Sequence, residues 1–271
     1  MEEFLIDEFY EKMDGANFEA YGILGSDDRI HTLGTDSKII GRIFEMLTQP
    51  VLAEIAEAHG MRLKTPASQT VYPDFIMMRD EGSREKIAID VKTTYVSGDQ
   101  STIKFTLGSY GSYMRNNTKN IEYRYTDYAK HYVIGFVYKR NGAAQESAVY
   151  DYSRRDQIVF PYRDVRYFIQ EKYKIAGDRP GSGNTENIGS FPTRSFSELR
   201  EGRGPFSQLG ADVFDLYWKY YPKYRSPQKE YTTLNGFLEW IFRQEGLSLL
   251  HPYDHRELLR RIRDYQAGHG R

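Results

Sequence analysis

The pair Pro73-Asp74 is followed sixteen residues later by Asp90-Val91-Lys92. A strand places side chains two apart on one face, so Asp90 and Lys92 share a face while Ile89 and Val91 point to the other. Two apolar runs, at 71–78 and 86–96, flank the polar stretch Arg79-Asp80-Glu81-Gly82-Ser83, which reads as a turn. With that turn centred on Gly82, the numbers of antiparallel partners sum to 164, as 74 and 90 do. Asp74 and Asp90 then face one another with Cβ atoms roughly 4.5–5.5 Å apart. Two carboxylates that close repel unless one takes a proton or a cation lies between them. Oxygen ligands of this kind suit Mg²⁺, which keeps several waters and completes its shell with a phosphate. The ammonium of Lys92, one pleat further along, could orient or help activate the attacking water. The set is suited to metal-assisted hydrolysis of a phosphodiester.

The same residues have plainer explanations. Asp74 could be a turn residue after proline, and Asp90 with Lys92 a solvated strand face. The motif is short, and Asp36-Ser37-Lys38 repeats its Asp-x-Lys ending, yet reads as a helix start with Asp36 or Ser37 as cap.

The elements that must position the acids follow from periodicity. Ile39, Ile40, Ile43, Phe44 and Leu47 recur at helical spacing. Pro50 predicts a break or kink before residues 51–59, and Gly60 a C-terminal stop. Glu45 lies beside the apolar stripe and on one face with Lys38. Besides the two strands of the hairpin, strands are predicted at 101–107, 131–138 and 165–168. Residues 177–189, with four glycines and Pro180, read as a long exposed loop. Helices are predicted at 213–220, 234–242 and 256–265. The fold class is mixed α/β.

Composition removes whole classes of function. The 271 residues include no cysteine, which excludes disulfides, thiolate zinc sites and Cys nucleophiles. There is no His-Glu-x-x-His, no Gly-x-Ser-x-Gly, and no Gly-Lys-Ser/Thr behind the glycine-rich stretch. No apolar run approaches the roughly 18 residues that a membrane span requires, and the acidic N-terminus is unlike a secretory leader. A cytoplasmic protein is expected. Net charge is −1, so any polyanion site must be local. Residues 101–140 hold seven bases against two acids, whereas residues 1–30 hold nine acids against two bases. The five arginines of residues 256–271 read as a solvated helix.

Longer blocks surround the acid pair: Tyr72-Pro73-Asp74-Phe75, Lys86-Ile-Ala-Ile-Asp90-Val-Lys92-Thr-Thr-Tyr95, Lys104-Phe-Thr-Leu-Gly108 and Arg115-Asn-Asn-Thr-Lys-Asn-Ile121. Ile175-Ala-Gly-Asp178 and Gly181-Ser-Gly-Asn-Thr-Glu-Asn-Ile-Gly-Ser190 continue the series. In order, and nearly in spacing, these blocks resemble the EcoRV family of type II restriction endonucleases, within the PD-(D/E)xK nuclease superfamily. Weaker similarity runs on through Tyr217-Trp218 to Glu239-Trp240-Ile241.

The resemblance implies a central mixed β-sheet flanked by helices. Residues 1–200 would form the catalytic and DNA-binding core, including a dimerisation part and a recognition loop at 181–190. Residues 201–271 would form a mainly helical C-terminal subdomain with an extension. Asp74 and Asp90 would ligate Mg²⁺, with Mn²⁺ as a substitute and the Val91 carbonyl nearby, and Lys92 would assist the attacking water. Glu45 matches an acidic helix residue that is either an outer ligand or a support.

Gly181, Ser182, Gly183, Asn184, Thr185 and Asn187 match the loop that enters the major groove. Glycines let backbone groups approach base edges, Asn can bond adenine twice, and a Thr methyl can touch a thymine methyl. Gln69 matches a second loop on the minor-groove side. Thr93, Thr94, Thr106, Ser112, Asn117 and Lys119 match positions that contact or buttress the phosphate backbone, which sets register and salt-dependent affinity. The partners implied are double-stranded DNA and a second copy of the chain, a homodimer cutting GATATC at its centre to blunt 5′-phosphate ends. A host methyltransferase would protect the same site without touching this protein. Two rival readings are a structure-specific repair nuclease of the same fold and a DNA-binding protein without catalysis. Glu186 replaces an uncharged residue of the family loop and is expected to face away from phosphate. Residues 66–71, 141–164 and those after about 200 match poorly.

Overall fold

The computed structural model describes residues 4–181, 186–223, 225–244 and 254–269. In chain order these hold α1 (Phe4–Met13), β1 (Ile23–Leu24), β2 (Arg29–Leu33), α2 (Ser37–Ala58), β3 (Arg62–Lys64), β4 (Phe75–Met78) and β5 (Lys86–Tyr95). Next come β6 (Thr106–Ser109), β7 (Tyr128–Arg140), β8 (Glu146–Asp151), β9 (Tyr162–Glu171), the short α3 (Lys172–Ile175), β10 (Ala176–Pro180) and β11 (Asn187–Ser190). Helices α4 (Phe196–Arg200), α5 (Ala211–Tyr220), α6 (Leu234–Arg243) and α7 (His255–His269) follow. The mixed α/β class and the three C-terminal helices are as predicted.

The central sheet has the order β3-β4-β5-β7-β9, antiparallel except where β5 and β7 run parallel. Its inner strands are rich in Ile, Val, Tyr and Phe, which suit a pleated surface buried on both sides. Alternation assigns the faces. Phe75, Met77, Ile87, Ile89, Val91, Ile134 and Phe136 pack with Phe9 of α1 and Ile40, Phe44, Leu52 and Ile55 of α2. Ile76, Met78, Ala88, Val133, Val137 and Phe168 form a second core with Val213, Trp218, Phe237 and Ile262 of the C-terminal helices. The face bearing Ala88 and Asp90 is thus covered. Asp90 is only 4% exposed, so the solvated strand face left open by the sequence is not what forms.

The predicted register holds. Phe75 pairs with Ile89, Ile76 with Ala88 and Met77 with Ile87. Lys86 fixes the turn from inside: its ammonium, 1% exposed, donates to the carbonyls of Glu81 and Ser83 and lies 4.3 Å from the centre of the Tyr123 ring.

Three expectations are corrected. Asp36 does cap α2, accepting the N–H groups of Lys38 and Ile39, and Gly60 does end the turn beyond it at φ +64. The helix, however, runs unbroken through Pro50. Proline withdraws the donor that would meet the Met46 carbonyl, but Met46 lies on a solvent-facing side at 58% exposure. Phe44, Thr48, Leu52 and Ile55 hold the opposite side in the core before and after the proline, and that packing outweighs its local cost. Second, in the supposed loop at 177–189 the described residues 177–180 and 187–189 belong to β10 and β11, which pair antiparallel and join β6 in a three-stranded sheet. Gly181 and Gly189 permit it, since a Cβ on Gly189 would sit 2.9 Å from the Gly181 Cα. Ser182, Gly183, Asn184 and Thr185 lie outside the described residues. Third, the strand expected at 101–107 forms later, as β6, preceded by a single bridge from Ile103 to Thr193. Besides these, the acidic N-terminal stretch contains α1, and β1, β2 and β8 form a small sheet of their own, for which the sequence offers no expectation. Among the described residues no helix is long and apolar enough to cross a membrane.

Candidate active site

Asp74 immediately precedes β4, and the β4–β5 register sets it across from Asp90. Its Oδ2 accepts the Val91 N–H at 2.7 Å, which fastens this carboxylate to the neighbouring strand. Lys92 Nζ lies 2.7 Å from Asp90 Oδ2 and 3.6 Å from Asp74 Oδ2. It also donates to the Val91 carbonyl at 3.2 Å. The three charged groups thus converge on one point at the end of the hairpin, on the side away from α2's apolar stripe.

Burial disfavours the charged form of Asp74. The Lys92 ammonium opposes that effect, Asp90 and Glu45 reinforce it, and the Asp74 pKa is pushed up to about 7. For Lys92 burial acts against the ammonium, but Asp90, Asp74 and Glu45 outweigh it and hold its pKa above the ordinary lysine range. The carboxylates thus hold Lys92 as the ammonium in the metal-free site.

The residues present fit a hard divalent cation. Asp90 Oδ2 is buried and takes no well-formed hydrogen bond; its close neighbour is the Lys92 ammonium. Asp74 keeps its carboxyl partly protonated near neutrality, as expected of an acid pair awaiting a positive charge. Among the described residues no group of three or more His, Asp or Glu side chains converges. A cation here would have two carboxylates and, from the backbone, the Val91 carbonyl, with water and substrate oxygens completing its shell, a set that suits Mg²⁺.

A cleft of about 480 Å³ opens beside the pair, lined by Lys38, Arg42, Glu45, Gln49, Gln69 and Asp74 among others. An adjoining concavity is lined by Lys38, Arg42, Glu45, Lys92, Thr93, Thr94, Lys104 and Thr106. The structure thus brings Glu45, Gln69, Thr93, Thr94 and Thr106 to the acid pair. Glu45 Oε2 is held by Arg42 at 2.6 Å.

Other candidates sit further along the chain. Ser112 is buried, and its carbonyl takes the N–H groups of Arg115 and Asn116. Asn117 clasps Thr126 through both ends of its amide, at 3.1 and 3.2 Å, and Lys119 is exposed. Gly181 donates its N–H to the Asn187 carbonyl at 2.8 Å, and Asn187 pairs with Ser109 of β6. The Glu186 carbonyl accepts from Tyr110, Gly111 and Ser109, and its side chain lies against Gly111.

Arg42 and Lys104 were missed. Arg42 was readable, standing four residues after Lys38 and three before Glu45 on the same helical face. Lys104 was visible in the basic surplus at 101–140 and as the first residue of the block Lys104–Gly108, but neither gave it a role.

Facing acids and an ammonium at the end of a β-hairpin, on a mixed sheet packed between helices and open to a polar cleft, define a nuclease of the PD-(D/E)xK class. Residues 14–242 match the family described as Restriction endonuclease EcoRV. Over 241 residues the chain is 38% identical to the Type II restriction enzyme EcoRV of Escherichia coli, an alignment covering 88% of this chain and 96% of that protein. The chain belongs to the EcoRV family of restriction endonucleases, type II site-specific deoxyribonucleases whose members generally depend on a divalent metal ion.

Proposed function

We propose that the chain, as a homodimer, cleaves double-stranded DNA at GATATC in a Mg²⁺-dependent reaction that leaves blunt 5′-phosphate ends. The observation that carries the reading is the convergence of Asp74, Asp90 and Lys92, with the ammonium 2.7 and 3.6 Å from the two carboxylates. Identity of 38% to a Type II restriction enzyme EcoRV supports cleavage of the type II kind, and the site and end type are what the family resemblance of the blocks at 72–75, 86–95 and 181–190 implies. A palindromic target suits a two-fold dimer, each copy cutting one strand.

When bound, Mg²⁺ supplies Lewis-acid polarisation of the water and of the scissile phosphate. The chain's own groups do the rest. Asp74 and Asp90 are the ligands, and the Val91 N–H prevents Asp74 from swinging away. Lys92, tethered by Asp90 and the Val91 carbonyl, orients the water for in-line attack and offers its charge to the phosphate oxygens as the 3′ oxygen leaves. Glu45, paired with Arg42, supports the outer edge of the site. Thr93, Thr94, Thr106 and Lys104 hold the backbone beside it, while Ser112, Asn117 and Lys119 buttress or extend that contact. Gly181, Ser182, Gly183, Asn184, Thr185 and Asn187 read the major groove, and Gln69 follows the minor-groove side. A central TA step would add specificity, because it kinks more cheaply than most.

Digestion of a plasmid of known sequence, with both ends mapped, tests site, cut position and end type together. Discrete fragments ending at the centre of GATATC are expected. Cutting elsewhere would replace the site, and binding without cleavage in Mg²⁺ and in Mn²⁺ would defeat the catalytic reading.

A further inference from the structure

β9 ends at Glu171, whose carboxylate is shared by Lys130 at 2.7 Å and Lys174 at 2.6 Å. The next residue, Lys172, is only 1% exposed, and among the described residues no carboxylate lies within ion-pair distance of its ammonium. An ammonium out of water is costly unless nearby groups replace its hydration. Here Nζ donates to the Tyr113 hydroxyl at 3.0 Å and lies 4.3 Å from the centre of the Tyr72 ring, whose face attracts a cation. The fold makes room for this contact at Gly108, where a side chain would run into the Tyr113 hydroxyl.

Both aromatic partners belong to the arm that carries Asp74 and to the segment behind it. Tyr72 stands two residues before Asp74 and stacks on Tyr113 with centroids 4.3 Å apart. Its hydroxyl meets His131 Nδ1 of β7 at 2.7 Å. Its own N–H donates to the Asn120 carbonyl, and its carbonyl accepts from Glu122, each at 3.0 Å. Tyr113 follows β6, the strand of Thr106. One buried ammonium therefore joins the end of β9, the arm leading to Asp74, and the segment past β6. Burial lowers its pKa to about 8, and of the charges acting on it the Asp90 carboxylate does most to keep it protonated.

We propose that Lys172 is a positioning residue for cleavage: by gripping Tyr113 and underlying Tyr72 it fixes the arm that holds Asp74 opposite Asp90, with its charge behind the acid pair. The inference rests on the reading of Asp74 and Asp90 as the metal-holding pair. Displacing a catalytic group by about 1 Å can cost about 100-fold in rate without changing how substrate binds.

The test compares kcat, KM and melting temperature for the wild type, Lys172→Met, Tyr113→Phe and the double variant, on a duplex that the wild type cuts at saturating Mg²⁺. Each single variant should lose about 10- to 100-fold in kcat with KM nearly unchanged. The double variant should be no worse than Lys172→Met alone, because the contact that Tyr113→Phe breaks is already lost in Lys172→Met. A lowered melting temperature with kcat within about twofold of wild type would show a purely structural lysine and overturn the proposal. Should Lys172→Met fail to fold, Tyr113→Phe, which removes a single hydroxyl, decides the matter by the same criterion. No cleavage by the wild type would overturn the reading of the acid pair, and this inference with it.

Discussion

Asp74 Oδ2 accepts the backbone N–H of Val91 at 2.7 Å, so the acid that enters β4 is anchored to the peptide between Asp90 and Lys92. All three charged groups are thereby referred to one short stretch of β5. A rigid strand, not a loop, sets the spacing of the site, which is what catalysis by positioned charge requires.

Removing members of the trio should abolish chemistry before binding. Asp90→Ala and Lys92→Ala are each expected to lower cleavage by about 10²- to 10³-fold or more, as loss of one preorganised electrostatic group does elsewhere. Affinity for the duplex should change little. Plasmid cleavage beside a gel-shift measurement checks this, and undiminished cutting by either variant would withdraw that residue's role.

Asp74 carries a pH dependence of defined sign. A proton must leave its carboxyl before a cation is held, so with a pKa near 7 the affinity for Mg²⁺ should rise about tenfold per pH unit below 7 and level off above. Calorimetric titration with Mg²⁺ or Mn²⁺ across that range measures it. The metal-free protein should show the converse. Because the folded-state pKa exceeds that of the unfolded chain, the folded state binds the extra proton between about 4 and 7. The stability from Asp74 is present in full below the unfolded pKa and is lost as pH rises through about 7. Asp74→Asn, which has no proton to lose, should gain in melting temperature relative to wild type over that window.

The concavity lined by Lys104 should report itself through salt. Lys104→Ala is expected to weaken binding to all duplexes alike. It should also make the slope of log affinity against log salt shallower by about one. A variant that changed only the preference among sequences would contradict a phosphate contact.

Asp178 ties the β10–β11 pair to the C-terminal helices. Its Oδ2 accepts the Leu234 N–H at the start of α6 at 3.1 Å, and its carbonyl accepts the Tyr217 hydroxyl at 2.6 Å. Asp178→Ala should cost about 1 kcal/mol of stability, the worth of one such hydrogen bond. It should also narrow the ratio of cleavage rates between the preferred site and a site differing by one base pair. Denaturant titration and paired kinetics check the two halves separately.

How far the sequence spoke can be judged from particular residues. The opposition of Asp74 and Asp90 followed from a turn at Gly82 and a period of two, because hairpin register is local. The Asp36 cap and the Gly60 stop were legible for the same reason. Pro50 misled, since its local penalty was overruled by Phe44, Leu52 and Ile55 packing on a sheet far away in sequence. The pairing of β10 and β11 was hidden because glycine-rich sequence reads as loop unless the partner strand is known, and β6 lies about eighty residues before β11.

By itself, then, the sequence determined which acids face each other and which lysine stands beside them, since each depends on neighbours within one hairpin. Only the tertiary structure decided that this face is covered and not washed by water, that α2 brings Arg42 and Glu45 to its edge, and that Lys172 meets Tyr113 and the Tyr72 ring. Burial and long-range approach depend on how distant elements pack, and no local periodicity encodes that.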